Sequence, residues 1–156
     1  MSYKVNIIEE TLNNENFRKV LNTGDKSQLV VMDIKAGESI GREIHENVEQ
    51  TLFILSGEGT AILDDAEIGI TAGDVIVVSP GTEHDFVNNG AESMKIYTVY
   101  APPNHIDGTV HETKEDAELD VKDEDFGHNI GKDEECSPCD EKDLNDDDTD
   151  DVDDDY

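Results

Sequence analysis

Between residues 17 and 101 the chain breaks into short apolar runs, each closed by a turn signal. "SQLVVMDI" ends at "KAGES" and "QTLFILS" at "GEG"; "TAIL" and "EIGI" flank "DDA"; "DVIVVS" follows "TAGD"; "MKIYTVYA" stops at Pro102-Pro103. Runs this short, rich in Val, Ile, Thr and Tyr and bounded by Gly, Asp or Pro, form antiparallel strands. Even spacing without a long helical period leaves an all-β sandwich or small barrel. Helix is expected only at the margins. "EETLNN" can make one turn before the strands, and "TKEDAELD" a short helix with Thr113 as its N-cap.

Charge divides the chain. Residues 1–112 carry 19 Asp/Glu against 7 Lys/Arg, a net of −12, whereas residues 113–156 carry 21 against 4, a net of −17. Residues 1–112 are therefore expected to fold as one β-barrel domain. The 113–156 segment is expected to be an acidic, mostly disordered tail, because so polar a stretch buries too little apolar surface to offset its ordering entropy. A net charge of −29 repels nucleic acid and anionic membranes alike. No apolar run approaches the roughly 20 residues of a membrane span, and "MSYKVNIIEETLNN" lacks the pattern of a secretory signal. A cytoplasmic location is the expectation.

Polar residues interrupt the apolar pattern in two places. In "GREIHENVEQ" the two-residue period of a strand puts Glu43 and His45 on one face and Arg42 and Ile44 on the other; Gln50 follows across a turn. A second polar singleton, His84, sits just past the turn in "SPGTEH". Imidazole, carboxylate and amide-oxygen donors converging from neighbouring strands suit a divalent metal such as Zn, Mn, Fe, Co or Ni.

These two stretches resemble the paired motifs of the cupin superfamily. The first reads Gly37, five residues, Glu43-Ile44-His45, four residues, Gln50, six residues, Gly57; the second reads Gly73, five residues, Ser79-Pro80-Gly81, two residues, His84, three residues, Asn88. Every spacing matches the family pattern. Three identities depart from it: Glu43 stands where the family has its first His, Gln50 where it has Glu, and Ser79 where it has Pro. The resemblance implies a double-stranded β-helix (jelly-roll) barrel, a homodimer, and metal ligation by Glu43, His45, Gln50 and His84. Glu49 competes with Gln50, although the spacing to Gly57 favours Gln50.

By the same resemblance the activity is expected to be divalent-metal-dependent chemistry on a small molecule. Sugar isomerisation of the mannose-6-phosphate isomerase kind and dioxygenase chemistry are the two candidates, and a non-catalytic ligand-binding module is the alternative. A phosphosugar calls for Arg or Lys beside the metal. Arg42 should face away from Glu43, and Lys95 is the other nearby cation, in the second half of the barrel, so this reading is the weaker. Glu83, Tyr97 and Tyr100 are possible acid/base groups whose plainer reading is surface acid and strand aromatics. His105 and His111, in "NHIDGTVH", either touch the mouth of the site or lie exposed in a loop.

Two tail features carry little chemistry. Cys136 and Cys139 have redox or zinc spacing, but no second pair accompanies them and their acidic surroundings oppose a thiolate. The aspartate run read from Asp143 has Asp148 at the sixth position, where an EF-hand loop needs Gly.

Overall fold

The structure is a computed structural model describing residues 2–132. Cys136, Cys139 and the terminal aspartate run lie outside the described residues. In chain order the elements are α1 (Ile7–Asn13), β1 (Arg18–Thr23), β2 (Gln28–Ile34), β3 (Glu43–Ile44), β4 (Glu49–Ser56), β5 (Glu58–Leu63), β6 (Ala66–Thr71), β7 (Val75–Val78), β8 (Glu83–Val87), β9 (Met94–Ala101), β10 (Val110–His111), α2 (Lys114–Leu119) and α3 (Val121–His128). Two antiparallel sheets face each other, one ordered β10-β1-β2-β9-β4-β7 and the other β3-β8-β5-β6. This is the all-β barrel expected from the apolar runs.

Period-two patterning builds the core. Along β9 burial alternates at every residue, so Met94, Ile96, Thr98 and Tyr100 point inward while Lys95, Tyr97 and Val99 point out. They meet Val30, Met32, Leu52, Ile54, Ala61 and Phe86 from the other strands, all fully or nearly fully buried. Strand β2 breaks the alternation because α1 packs on that part of its sheet, leaving Val31 and Asp33 buried as well. The Asp33 carboxylate is satisfied at Oδ2 by Lys95 (2.9 Å) and Lys35 (2.7 Å). Lys95 is thereby engaged on the outer face of the sheet.

Helix α2 starts where expected, with Thr113 and Asp116 forming a reciprocal capping box. Helix α3 does not match expectation: residues from 121 onward show no apolar period, yet Val121–His128 is helical and is anchored to the 104–106 segment that follows β9. Its buried side chain is an acid, Asp123, 4 % exposed and bonded to His105 and to the Ile106 amide. A polar anchor of this kind leaves no hydrophobic stripe to read. Described structure thus continues past residue 112, and Ala117 and Ile130 pack against the core. The division at 112/113 marks a change in charge; the packing runs through it.

Gly57, the shared glycine of the first motif, is held by two constraints. Its φ is +92°, and an added Cβ would lie 2.7 Å from the Ser93 carbonyl oxygen and 2.9 Å from Met94 Cα. Gly37 and Gly73 also have positive φ, but their surroundings are open. Gly57→Ala is expected to destabilise the fold by about 1–3 kcal/mol, more than Gly73→Ala, as read from urea midpoints; equal midpoints for the two variants would show that the close approach is unimportant.

Candidate metal centre

Strand register brings the polar singletons together. Glu43 on β3 lies directly opposite His84 on β8, so their side chains leave the sheet as neighbours. Gln50 on β4 lies between Val78 of β7 and Tyr100 of β9 in the facing sheet. His45 follows β3, and its carbonyl accepts from the Gly81 amide at 2.9 Å, which ties the first polar stretch to the turn preceding His84. The His45 and His84 rings are 5.1 Å apart, and the Tyr100 ring lies 6.0 Å from His45.

Glu43, His45 and His84 each offer a donor atom, and these atoms lie within 4.8 Å of one another. Two donors bound to one divalent ion at ~2.0–2.2 Å lie at most ~4.4 Å apart, so a contraction of a few tenths of an ångström at the widest pair lets the group close on an ion. His45 Nε2, His84 Nε2 and Gln50 Oε1 are all buried without a hydrogen-bond partner. Glu43 Oε2 is 3.2 Å from His45 Nε2, close but not aligned as a hydrogen bond.

Neighbouring groups orient two of these donors. The Thr82 carbonyl, 2.9 Å from His84 Nδ1, can only accept, so the proton sits on Nδ1 and the Nε2 lone pair faces the site. Thr98 donates its hydroxyl proton to the Thr51 carbonyl (2.9 Å) and must therefore accept from Gln50 Nε2 (3.2 Å). Gln50 is thus turned with its oxygen away from Thr98 and unpartnered. Glu49, its competitor in the sequence, is exposed.

Electrostatics keep the donors in ligating form. Burial would raise the Glu43 carboxyl, but His45, Arg18 and His105 outweigh it and bring it down to about 2. Burial lowers His84, which favours the neutral ring that a metal requires. Burial also lowers His105, whose Nδ1 lies 2.7 Å from the Asp123 carboxylate. Tyr100 is held well above the usual phenol range by burial.

Other residues singled out in the sequence separate clearly. Arg42 turns away from the centre and pairs with Glu83 at 2.9 Å in an exposed ion pair, so Glu83 is a surface acid. Tyr97 stacks on Phe53 at 4.5 Å, on the outward face of β9. Tyr100, by contrast, lies between His45 and His105, and His105 and His111 are both buried. Arg18 went unnoticed in the sequence. It alternates with Val20 on the buried face of β1, and that inward position was the available signal. Glu43, His45, Arg18 and His105 line a cavity of about 760 Å³ whose other walls include residues of α2 and α3.

Comparison with known proteins gives the family and the fold. Residues 30–100 match the cupin domain model. The chain is 39 % identical to BH2720 from Bacillus halodurans, whose crystal structure superimposes with a TM-score of 0.74 over 76 % of this chain and 94 % of that one. This chain belongs to the cupin family. This cupin is also 42 % identical over 121 residues to the uncharacterized protein YrkC of Bacillus subtilis, covering 74 % of this chain and 65 % of YrkC. A Klebsiella pneumoniae protein described as having a double-stranded beta-helix domain is 25 % identical, with a TM-score of 0.58 over 72 % of this chain and all of that one. No helix among the described residues is long and apolar enough to cross a membrane.

Two expectations follow. His45→Ala and His84→Ala should each lose most of the bound metal in elemental analysis of purified protein, while Cys136→Ala keeps it; full occupancy in both histidine variants would move the site elsewhere. In metal-stripped protein, stability should fall with pH. The folded values of His84 and His105 lie below the ordinary 6.5, so the unfolded chain binds protons first and stability is lost as pH drops below 6.5. Glu43 adds a loss of the same sign from 4.5 towards about 2. Urea midpoints compared between about pH 8 and pH 5 should decline, and less steeply in His84→Gln; a flat profile contradicts the assignment.

Proposed function

We propose that this cupin binds a divalent metal through Glu43, His45, Gln50 and His84 and uses it to act on a small molecule held in the adjoining cavity. The observation that carries the reading is the group of unpartnered donors beside that cavity: two imidazole Nε2 atoms and an amide oxygen, with a carboxylate against one of the imidazoles. Unpaired polar atoms inside a barrel cost free energy, and an ion satisfies them together. Mixed N and O donors suit Zn, Mn, Fe, Co or Ni.

When bound, such an ion supplies Lewis-acid polarisation and a lowered pKa for coordinated water. The protein's part is positioning. Thr82 and Thr98 fix the His84 and Gln50 donors, and α2 and α3 line the cavity beside them. With Glu43 as its one anionic ligand, the centre keeps a formal charge near +1 and favours an oxygen-rich or anionic substrate. Of the two chemistries suggested by resemblance, oxygen chemistry fits better than sugar-phosphate isomerisation, because Arg42 and Lys95 are engaged by Glu83 and Asp33 away from the centre, which leaves Arg18, among the described residues, as the one buried cation on the cavity wall against a doubly charged phosphate. A binding module without catalysis is the second reading, supported by the placing of Glu83 and Tyr97 away from the centre; of the three candidate acid/base groups only Tyr100 lies beside it.

The test is metal content followed by solvent access. Untagged protein purified without added metal is expected to carry near-stoichiometric metal. Its Mn-substituted form should strongly enhance water-proton relaxation, showing an open coordination position. A closed, water-free centre would favour a structural metal, and protein that stays metal-free after reconstitution would leave the binding-module reading.

A further inference from the structure

Arg18 is 5 % exposed, yet among the described residues no carboxylate lies within 4.0 Å of it. That is unexpected in a chain with 40 acidic residues. A buried guanidinium is costly unless paired, and arginine pairs best with a planar carboxylate or a phosphate. Nη1 makes a long contact, 3.5 Å, with His111 Nδ1. The Asp120 carboxylate, 2.9 Å from His111 Nε2, holds the proton there and leaves Nδ1 as the acceptor. Arg18 Nε is buried without any partner. The Nε edge, the side that grips a carboxylate in a two-point contact, is therefore unused.

Arg18 shares the cavity wall with Glu43, His45 and His105. His105 Nδ1 is bound to Asp123 Oδ2, while its Nε2 is buried and unpartnered. Two side chains on the wall of the cavity that adjoins the metal centre, each more than nine-tenths buried, thus each hold an unpartnered nitrogen. Both lie outside the stretch matched by the cupin model, residues 30–100, one on either side of it.

We propose that Arg18 and His105 form a subsite for the carboxylate of a small organic acid. One carboxylate pairs with the Nε edge of Arg18, and a neighbouring polar group of the ligand meets His105 Nε2. This deepens the metal-centre reading and rests on it for the ligand's remaining contact, an oxygen turned towards Glu43 and His45. A carboxylate fits better than a phosphate. One arginine offsets one negative charge, and the other cations on the wall are engaged or exposed: Arg42 with Glu83, Lys114 with Ser39 (3.3 Å), and Lys132 on the surface. Glu46, Glu118 and Glu124 on the same wall would repel a dianion.

The experiment is calorimetric titration of the full-length, metal-loaded protein with glycolate and, separately, with inorganic phosphate. The metal content of every sample is measured. Glycolate should bind the wild type more tightly than phosphate does. Arg18→Met and Arg18→Lys should each weaken glycolate binding by about tenfold or more with unchanged metal content; Lys keeps the charge and loses the fork, so it decides the matter if Met does not fold. Glycolate affinity unchanged in Arg18→Lys, tighter binding of phosphate, or no glycolate binding by the wild type would each overturn the subsite. Failure of the metal reading shows separately, as wild-type samples without metal. Titration of those samples still decides on Arg18 by the same comparison.

Discussion

Because β3 pairs with β8 so that Glu43 faces His84, and β4 with β9 so that Gln50 faces Tyr100, the polar side chains of both sheets enter the same interior space. A slip of one residue in either ladder would send them to the outer face and bring Ile44 or Thr51 inward. The register is held by more than the ladders. Asn88 is fully buried and donates to the Ile34 and Glu92 carbonyls, and its side-chain oxygen accepts from the Gly90 amide. Its backbone exchanges hydrogen bonds with Gly37 and Glu38. The asparagine that closes the second motif is therefore a fastener for the first, and it contributes to the centre only by fixing strand positions.

The cost of the site follows from the same geometry. A buried polar atom left without a partner costs on the order of 1–3 kcal/mol. His84 and Gln50 each limit that cost by tying one end to the protein, through Thr82 and Thr98, and leaving only the other end free. The orientation that reduces the expense also aims the lone pair. Packing and donor orientation meet in single hydrogen bonds here: a change of the Thr98 hydroxyl acts on the centre without touching it, whereas the bond to His84 comes from the Thr82 backbone carbonyl and survives a change of that side chain.

Much of this was legible in the sequence, because strands expose a period of two and turns expose their glycines. The runs ending at Ser56 and Ala101, the spacing from Gly37 to Asn88, and the convergence of Glu43, His45 and His84 all follow from such local rules. What escaped notice depends on partners distant in sequence. Arg18 looks like a surface cation until β1 is seen to place it on the buried face. Helix α3 looks like acidic tail because its contacts are polar: its N-cap residue Asp120 meets His111 and its first-turn Asp123 meets His105. Composition counts those aspartates as repulsive charge, whereas the fold uses them as acceptors for two buried imidazoles.

Those two pairings shape the cavity as much as the barrel does. Asp120 and Asp123 are spaced to engage His111 and His105 from one end of α3, and the helix then lies along the wall beside Glu43 and His45. The donor group of the barrel, Glu43, His45 and His84, is one that could hold a metal ion for many reactions, and a fold of this kind leaves the reaction undetermined. Selectivity must come from the remaining walls. In this cupin those walls include Arg18, from before the matched domain, and residues 104–132, from after it. Relatives that keep the strands but lack β1 or α3 would present a similar centre to a different space. A comparison confined to the barrel therefore carries the fold and the ligand positions from one cupin to another, and leaves the substrate to be read from the residues outside it.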